Sequence, residues 1–229
     1  MLKDFFSVLS GILLNPILFF GDIKDEDWYQ RPVTIAGIAS LILSFAVTIS
    51  IFITTYLPIG ATLFEKVNPS RVIFAYPTII ALGFAFSVIT LSIAFSLFLF
   101  LNLVVFGTLG WLVYFVGNVI SKSHGDFLKH LKASFYLSAT SILFVIPILM
   151  IILTKNKIIG FTNFRVGYNI IYGLLVIFLY GVEAIIARKM HGLKKWKAFV
   201  VALIPLLVLL AFGVGIDKFI LPKIQPWII

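Results

Sequence analysis

Hydrophobic positions along this chain fall into long uninterrupted runs rather than into an alternating pattern. Residues 33–56 carry no charge, and neither does the very long stretch 72–120. Residues 131–153 follow, headed by Lys132 and closed by Lys155. Residues 166–187 hold a single acid, Glu183, near their basic end, and residues 198–216 lie between Lys197 and Asp217. Crossing a hydrocarbon core of roughly 30 Å takes about 20 apolar residues in a helix. Barrel strands would be shorter and would alternate polar with apolar. The pattern therefore predicts an all-α, polytopic transmembrane helix bundle.

The opening segment reads differently. Phe5, Phe6, Leu9, Ile12 and Leu13 recur at helical spacing, with Lys3, Asp4, Ser7 and Ser10 off that face. This predicts an N-terminal amphipathic helix in the membrane interface, or one that packs on the bundle, ended or kinked at Pro16. The opening Met1-Leu2-Lys3-Asp4 has no basic leader and Asn15-Pro16 breaks the first apolar run, so no cleaved signal peptide is expected. The acidic stretch from Gly21 to Pro32 predicts a solvated turn with Trp28 and Tyr29 at headgroup level. Three regions result: residues 1–32 as interfacial helix and acidic turn, 33–216 as the transmembrane domain, and 217–229 as a short C-terminal tail.

The run 72–120 decides the span count. As one helix it would be about 70 Å long, so it crosses either once with a long extension or twice. One crossing gives five spans. It gathers Lys3, Lys24, Arg31, Lys122, Lys129, Lys132, Arg188, Lys189, Lys194, Lys195 and Lys197 on one side, and two crossings gather fewer basic residues. Five spans with a cytoplasmic N-terminus are therefore expected, with six as the alternative.

Composition strengthens the membrane reading. Of 229 residues, 61% are hydrophobic and 12% are charged, against roughly 25% charged in soluble domains. A soluble fold keeps a large surface that needs polar cover, which this chain cannot supply. The net charge of +9 would suggest nucleic acid if it were spread over a soluble surface. Here the cations flank apolar runs, where they orient spans and meet anionic headgroups, so nucleic acid is rejected as a partner. Cysteine is absent, which removes disulfides, thiolate metal sites and thiol nucleophiles.

A set of degenerate motifs, in order along most of the chain, resembles the prokaryotic branch of the Yip-domain family of multi-spanning membrane proteins. The first is Asn15-Pro16 with Phe19-Phe20. Next is Ser121-Lys122-Ser123-His124-Gly125-Asp126-Phe127, followed by Ala133-Ser134-Phe135-Tyr136-Leu137-Ser138-Ala139. Tyr180-Gly181-Val182-Glu183, the basic Arg188-Lys189-Met190-His191-Gly192-Leu193-Lys194, and Lys197-Ala198 complete it. Two features depart from the family pattern: Pro147 lies further from the third span's Tyr than is usual, and 72–120 exceeds one family span. The resemblance implies a helical membrane domain and no common biochemical activity. Eukaryotic relatives associate with small Ypt/Rab GTPases through a long N-terminal region that has no counterpart in the roughly thirty residues before the first span here.

Chemistry-bearing residues are few. Glu183 is an ionisable residue within a span, a functional candidate by default. Its position one turn before Arg188 and Lys189 favours an ion pair near the interface over a transport role. His124, His130 and His191 stand at loops or span ends and read as solvated. His124, Asp126 and His130 lack the spacing of a metal set. No paired intramembrane acids, serine–histidine set or zinc motif is present, so no catalytic residue, metal or cofactor is expected and the chain does not read as an enzyme. Gly107-Thr108-Leu109-Gly110 reads as close helix packing. The hydroxyls Ser40, Ser44, Thr48, Ser87, Thr90, Ser92 and Ser96 suit packing, interhelical hydrogen bonds or a path. The densest feature is the loop with Arg188, Lys189, Lys194, Lys195 and Lys197 beside Trp196, which suits an anionic lipid surface or a partner, or serves only to fix orientation. The expected protein is a membrane organiser or a lipid- or partner-binding protein of the cell membrane, meeting other membrane proteins or a second copy of itself. A small transporter or permease subunit is the alternative.

Overall fold

Every apolar run predicted above is helical. The computed structural model describes the chain except residues 22, 24–29, 68–71, 122–124 and 229, and gives the backbone alone at 72–74. The expected acidic turn with Trp28 and Tyr29, together with Lys24, Lys122 and His124, lies outside the described residues. Ten α-helices are described: α1 (Leu2–Leu14), α2 (Pro16–Phe19), α3 (Arg31–Ile51), α4 (Leu57–Glu65), α5 (Val72–Ser121), α6 (Phe127–Leu137), α7 (Val145–Lys155), α8 (Phe161–His191), α9 (Lys195–Gly215) and α10 (Leu221–Ile228).

Three joints turn pairs of these helices into single spans, and each precedes a proline. A π turn, Phe52–Tyr56, links α3 to α4 ahead of Pro58. A 3₁₀ segment, Ser138–Phe144, links α6 to α7 ahead of Pro147. A second π turn, Ile216–Ile220, links α9 to α10 ahead of Pro222. A proline removes one N–H donor and its ring crowds the carbonyl four residues earlier, so the preceding turn loosens or tightens to accommodate it. Among the described residues, five helices long and apolar enough to cross a membrane result: Arg31–Glu65, Ala75–Ser121, Phe127–Lys155, Phe161–His191 and Lys195–Ile228. The last is longer than expected from the sequence, because residues of the C-terminal tail continue its helix.

The run 72–120 is one helix. At 50 residues α5 is about 75 Å long, more than twice a bilayer core. Its first half lies alongside the π turn and α4. Tyr56 and Thr90 share a hydrogen bond of 2.7 Å, the Tyr56 and Phe86 rings lie tilted at 5.7 Å between centroids, and the Phe64 and Tyr76 rings meet at 4.2 Å. The turn chemistry missing between Gly83 and Asn102 is the reason no hairpin forms there.

Small side chains set the packing of the bundle. Its core combines Ala36 and Ala39 of α3, Leu109 and Val113 of α5, Leu137 of α6, Ile186 and Ala187 of α8, and Val201 and Ala202 of α9. Alanines at these contacts let helix axes approach where lipid gives no hydrophobic drive to association. The outward side chains, among them Ile80, Phe84, Phe100, Ile177 and Leu207, are large, apolar and exposed, as a lipid-facing surface requires. The hydroxyls weighed as a path are mostly turned back onto their own helices. Ser40, Ser44 and Thr48 donate to the carbonyls of Ala36, Ser40 and Ser44, and Ser87, Ser92 and Ser96 donate in the same way on α5. Asn102 of α5 instead donates across to Ser40 of α3, at 2.9 Å.

The N-terminal helix docks onto the bundle. Phe5, Val8 and Ile12 are buried in the main core, while Leu2, Phe6 and Leu14 point outward. The buried face is therefore centred one position away from the stripe of Phe5, Phe6, Leu9, Ile12 and Leu13 read from the sequence. Arg31 at the start of α3 holds the helix with a two-pronged bond to Asp4, at 2.6 and 3.2 Å.

Candidate functional site

Alternation of the five spans brings the starts of α3, α6 and α9 and the ends of α5 and α8 to one end of the bundle. The basic loop is built there. Helix α8 stops because Gly192 adopts the left-handed conformation at φ 62°, and Leu193 folds back to donate its N–H to the Arg188 carbonyl. A side chain at Gly192 would be strained there by its own backbone. The turn leaves Arg188, Lys189, Lys194 and Lys195 exposed. Lys197 is half-buried, with Nζ 5.7 Å from the centre of the exposed Trp196 ring. Arg188 and Lys189 complement the negative end of α8. Lys195 and Lys197 instead stand at the start of α9, where the backbone already favours anions and where no side chain caps the helix. These five cations thus flank the turn between α8 and α9.

Two sequence readings are corrected beneath this surface. Glu183 does not pair with Arg188 or Lys189. Its side chain is fully buried, and neither carboxylate oxygen has a hydrogen-bond partner. Nor are His130 and His191 solvated. His130 and His191 are both buried, and their rings lie 4.6 Å apart between centroids. The Asp126 carbonyl accepts from His130 Nδ1 at 2.8 Å, which puts that bond's proton on Nδ1 and leaves Nε2 unpartnered. Both ring nitrogens of His191 are likewise buried and unpartnered.

Glycine makes room for this pair. A Cβ on Gly117 would run into the His191 ring, and one on Gly125 would sit 2.7 Å from His191 Cε1 and 3.2 Å from His130 Cε1. Gly125 is itself held by its N–H donating to Asn118 Oδ1 at 2.8 Å. Seven residues before Gly117, a Cβ on Gly110 would lie 2.7 Å from Ser134 Oγ and 3.2 Å from the His130 carbonyl, so α5 and α6 touch backbone to side chain. Gly107 leaves ordinary contact, 3.7 Å to Phe135, so Gly110 is the close approach in the small-residue pair. Among the described residues no three histidines or carboxylates are placed to hold a metal ion.

A separate cavity of about 340 Å³ opens toward the other end of the bundle, between α3, α5, α7, α8, α9 and α10. Its walls are aliphatic and aromatic. Of its four polar lining residues, Asn102 already donates to Ser40 and the Tyr172 hydroxyl donates to the Leu209 carbonyl at 2.6 Å, whereas the buried Ser141 hydroxyl has no partner and Tyr168 is the fourth. Glu183, His130 and His191 do not line it.

These features define a multi-pass helical membrane protein with a basic loop, a buried polar knot beneath that loop, and an apolar internal cavity. The model of the Yip1 domain matches residues 10–216, nearly the whole chain, and the protein belongs to the Yip1 domain family. That match includes the motifs from Asn15-Pro16 to Lys197-Ala198 on which the resemblance was read. Comparison with the curated proteins and with the solved structures gave no match.

Proposed function

We propose that this chain is a non-catalytic organiser of the cell membrane that binds anionic lipid headgroups through the loop from Arg188 to Lys197, with its N-terminus on the cytoplasmic side. The observation that carries the reading is the joint exposure of Arg188, Lys189, Lys194 and Lys195 beside an exposed Trp196, at the end of the bundle where α1 and Arg31 also lie. Tryptophan marks headgroup level, and cations next to it meet the negative surface of a cytoplasmic leaflet. Each such charge contributes about 1 kcal/mol near an anionic membrane.

Replacing Arg188, Lys189, Lys194 and Lys195 by glutamine is expected to weaken retention of anionic over zwitterionic lipid more than about tenfold. Lipids retained after reconstitution and detergent extraction would be identified by mass spectrometry. Unchanged lipid preference in a correctly oriented variant would remove the loop from lipid binding.

The partnerless Glu183 favours one second reading, a small transporter, because an ionisable group deep in a span commonly serves a substrate or proton path. The cavity speaks against it. A transport path has a polar cavity near mid-membrane, whereas this one is apolar and excludes Glu183.

A further inference from the structure

The 340 Å³ cavity has a mouth as well as an interior. Leu43, Phe106, Val176 and Leu179 line its depth and are buried, whereas Leu101, Phe212 and Ile220 line it while 38%, 48% and 49% exposed. Those three residues sit on α5, α9 and the π turn after α9, so the opening lies between these elements on the outside of the bundle. The volume is roughly twice that of the ~150 Å³ cavity, lined by similar side chains, that stays dry and takes up benzene. Water has little reason to enter, because it needs two to four polar partners: the Asn102 and Tyr172 groups are committed elsewhere, and only the Ser141 and Tyr168 hydroxyls remain on walls that are otherwise apolar. Outside the mouth the solvent is hydrocarbon.

The rim has a definite charge. Arg165 grips Asp217 with two bonds of 2.6 and 2.5 Å, and Asn169 adds a third at 3.0 Å, which fastens the π turn to α8 and offsets the one acid there. Lys218 and Lys223 are exposed on the same segment whose Ile216, Ile220, Leu221 and Ile224 line the cavity, and Trp227 is exposed one turn further on. Trp227 places this rim at headgroup level. Cations thus stand at the level of a phosphate, directly beside an apolar opening.

We propose that the cavity holds one hydrocarbon chain of an anionic phospholipid whose headgroup rests on Lys218 and Lys223. The site lies toward the opposite end of the bundle from the Arg188–Lys197 loop and does not depend on lipid binding there.

The probe is phosphatidylglycerol carrying a photoactivatable diazirine in one acyl chain, added to the full-length protein in mild detergent, with adducts mapped by peptide mass spectrometry. Saturable labelling centred on Phe144, Ile148 and Val176 is expected. Val176→Trp fills the interior and should lower it about tenfold or more. Should that variant lose its fold on a thermal melt, Ile220→Trp, at the exposed mouth, closes the entrance with the same expected loss. Lys218→Gln with Lys223→Gln should raise the half-saturating concentration several-fold without moving the adducts. Labelling that never saturates and spreads over all lipid-facing helices would overturn the proposal. So would equal saturable labelling by a phosphatidylcholine probe, or full competition by a long-chain fatty alcohol, since neither carries a net negative charge and either result removes the anionic headgroup from recognition. Loss of loop-dependent lipid preference in the Arg188–Lys195 glutamine variant would leave this labelling intact.

Discussion

Gly110→Leu is expected to destabilise the bundle by about 3 kcal/mol, at the upper end of what overpacking a close contact costs. A Cβ at this position would meet Ser134 Oγ at 2.7 Å, Ser134 Cβ at 3.0 Å and the His130 carbonyl at 3.2 Å. A serine hydroxyl can rotate away, but its Cβ and the backbone carbonyl cannot, so α5 and α6 would have to separate. Even Gly110→Ala should lose about 1 kcal/mol, although alanine is the better helix former by a similar amount. Gly83→Ala, on the same helix with open space around it, supplies the contrast and should be neutral or stabilising. Thermal unfolding of the three variants in one detergent measures the differences. Removing part of the obstacle with Ser134→Gly should restore some of the loss in Gly110→Ala. If Gly110→Ala and Gly83→Ala melt alike, the α5–α6 approach is looser than described.

A gain is expected at Glu183. Leaving a buried polar group without a partner costs about 1–3 kcal/mol, and both carboxylate oxygens of Glu183 are in that position. Glu183→Met keeps the length and flexibility of the side chain and removes that cost, so it should raise stability by a similar amount. The interfacial ion pair read from the sequence predicts the opposite sign, a loss of about 0–1 kcal/mol. A lower melting temperature in Glu183→Met would restore the pairing. The cost also explains why Glu183→Gln is worth assaying in sealed vesicles: loss of a proton- or cation-coupled flux in a folded variant would favour the transporter reading.

The spans were legible because membrane crossing imposes a single strong requirement, some twenty apolar residues without charge. Residues 33–56, 131–153, 166–187 and 198–216 all meet it. The proline joints were less so. Pro58, Pro147 and Pro222 are plain in the sequence, but whether a helix bends, tightens or stops before a proline depends on what packs around it. Charge placement favoured five crossings over six by a small margin, and the unbroken α5 accounts for that result.

The polar knot was largely illegible, for physical reasons. His130 and His191 belong to different spans, and no local spacing links them. A partial signal existed in Gly110 and Gly117, which stand seven residues apart on one face of α5, where small residues mark close approach. The short distance from Glu183 to Arg188 along the chain points to the interface. That distance does not register shielding: Glu183 is fully enclosed in the bundle, although Arg188 and Lys189, five and six residues further along the same helix, are exposed. The apolar cavity is a property of how α5, α7, α8 and α9 diverge, which side-chain periodicity does not record.

The number of crossings is tested most directly by sidedness, and the absence of native cysteine makes the experiment clean. Single cysteines introduced as Ser7→Cys and Trp227→Cys, both at exposed positions, would be reacted with a membrane-impermeant maleimide in sealed vesicles, before and after lysis. An odd span count predicts that one site reacts from outside and the other only after lysis. Reaction of both before lysis, or of neither, would contradict it.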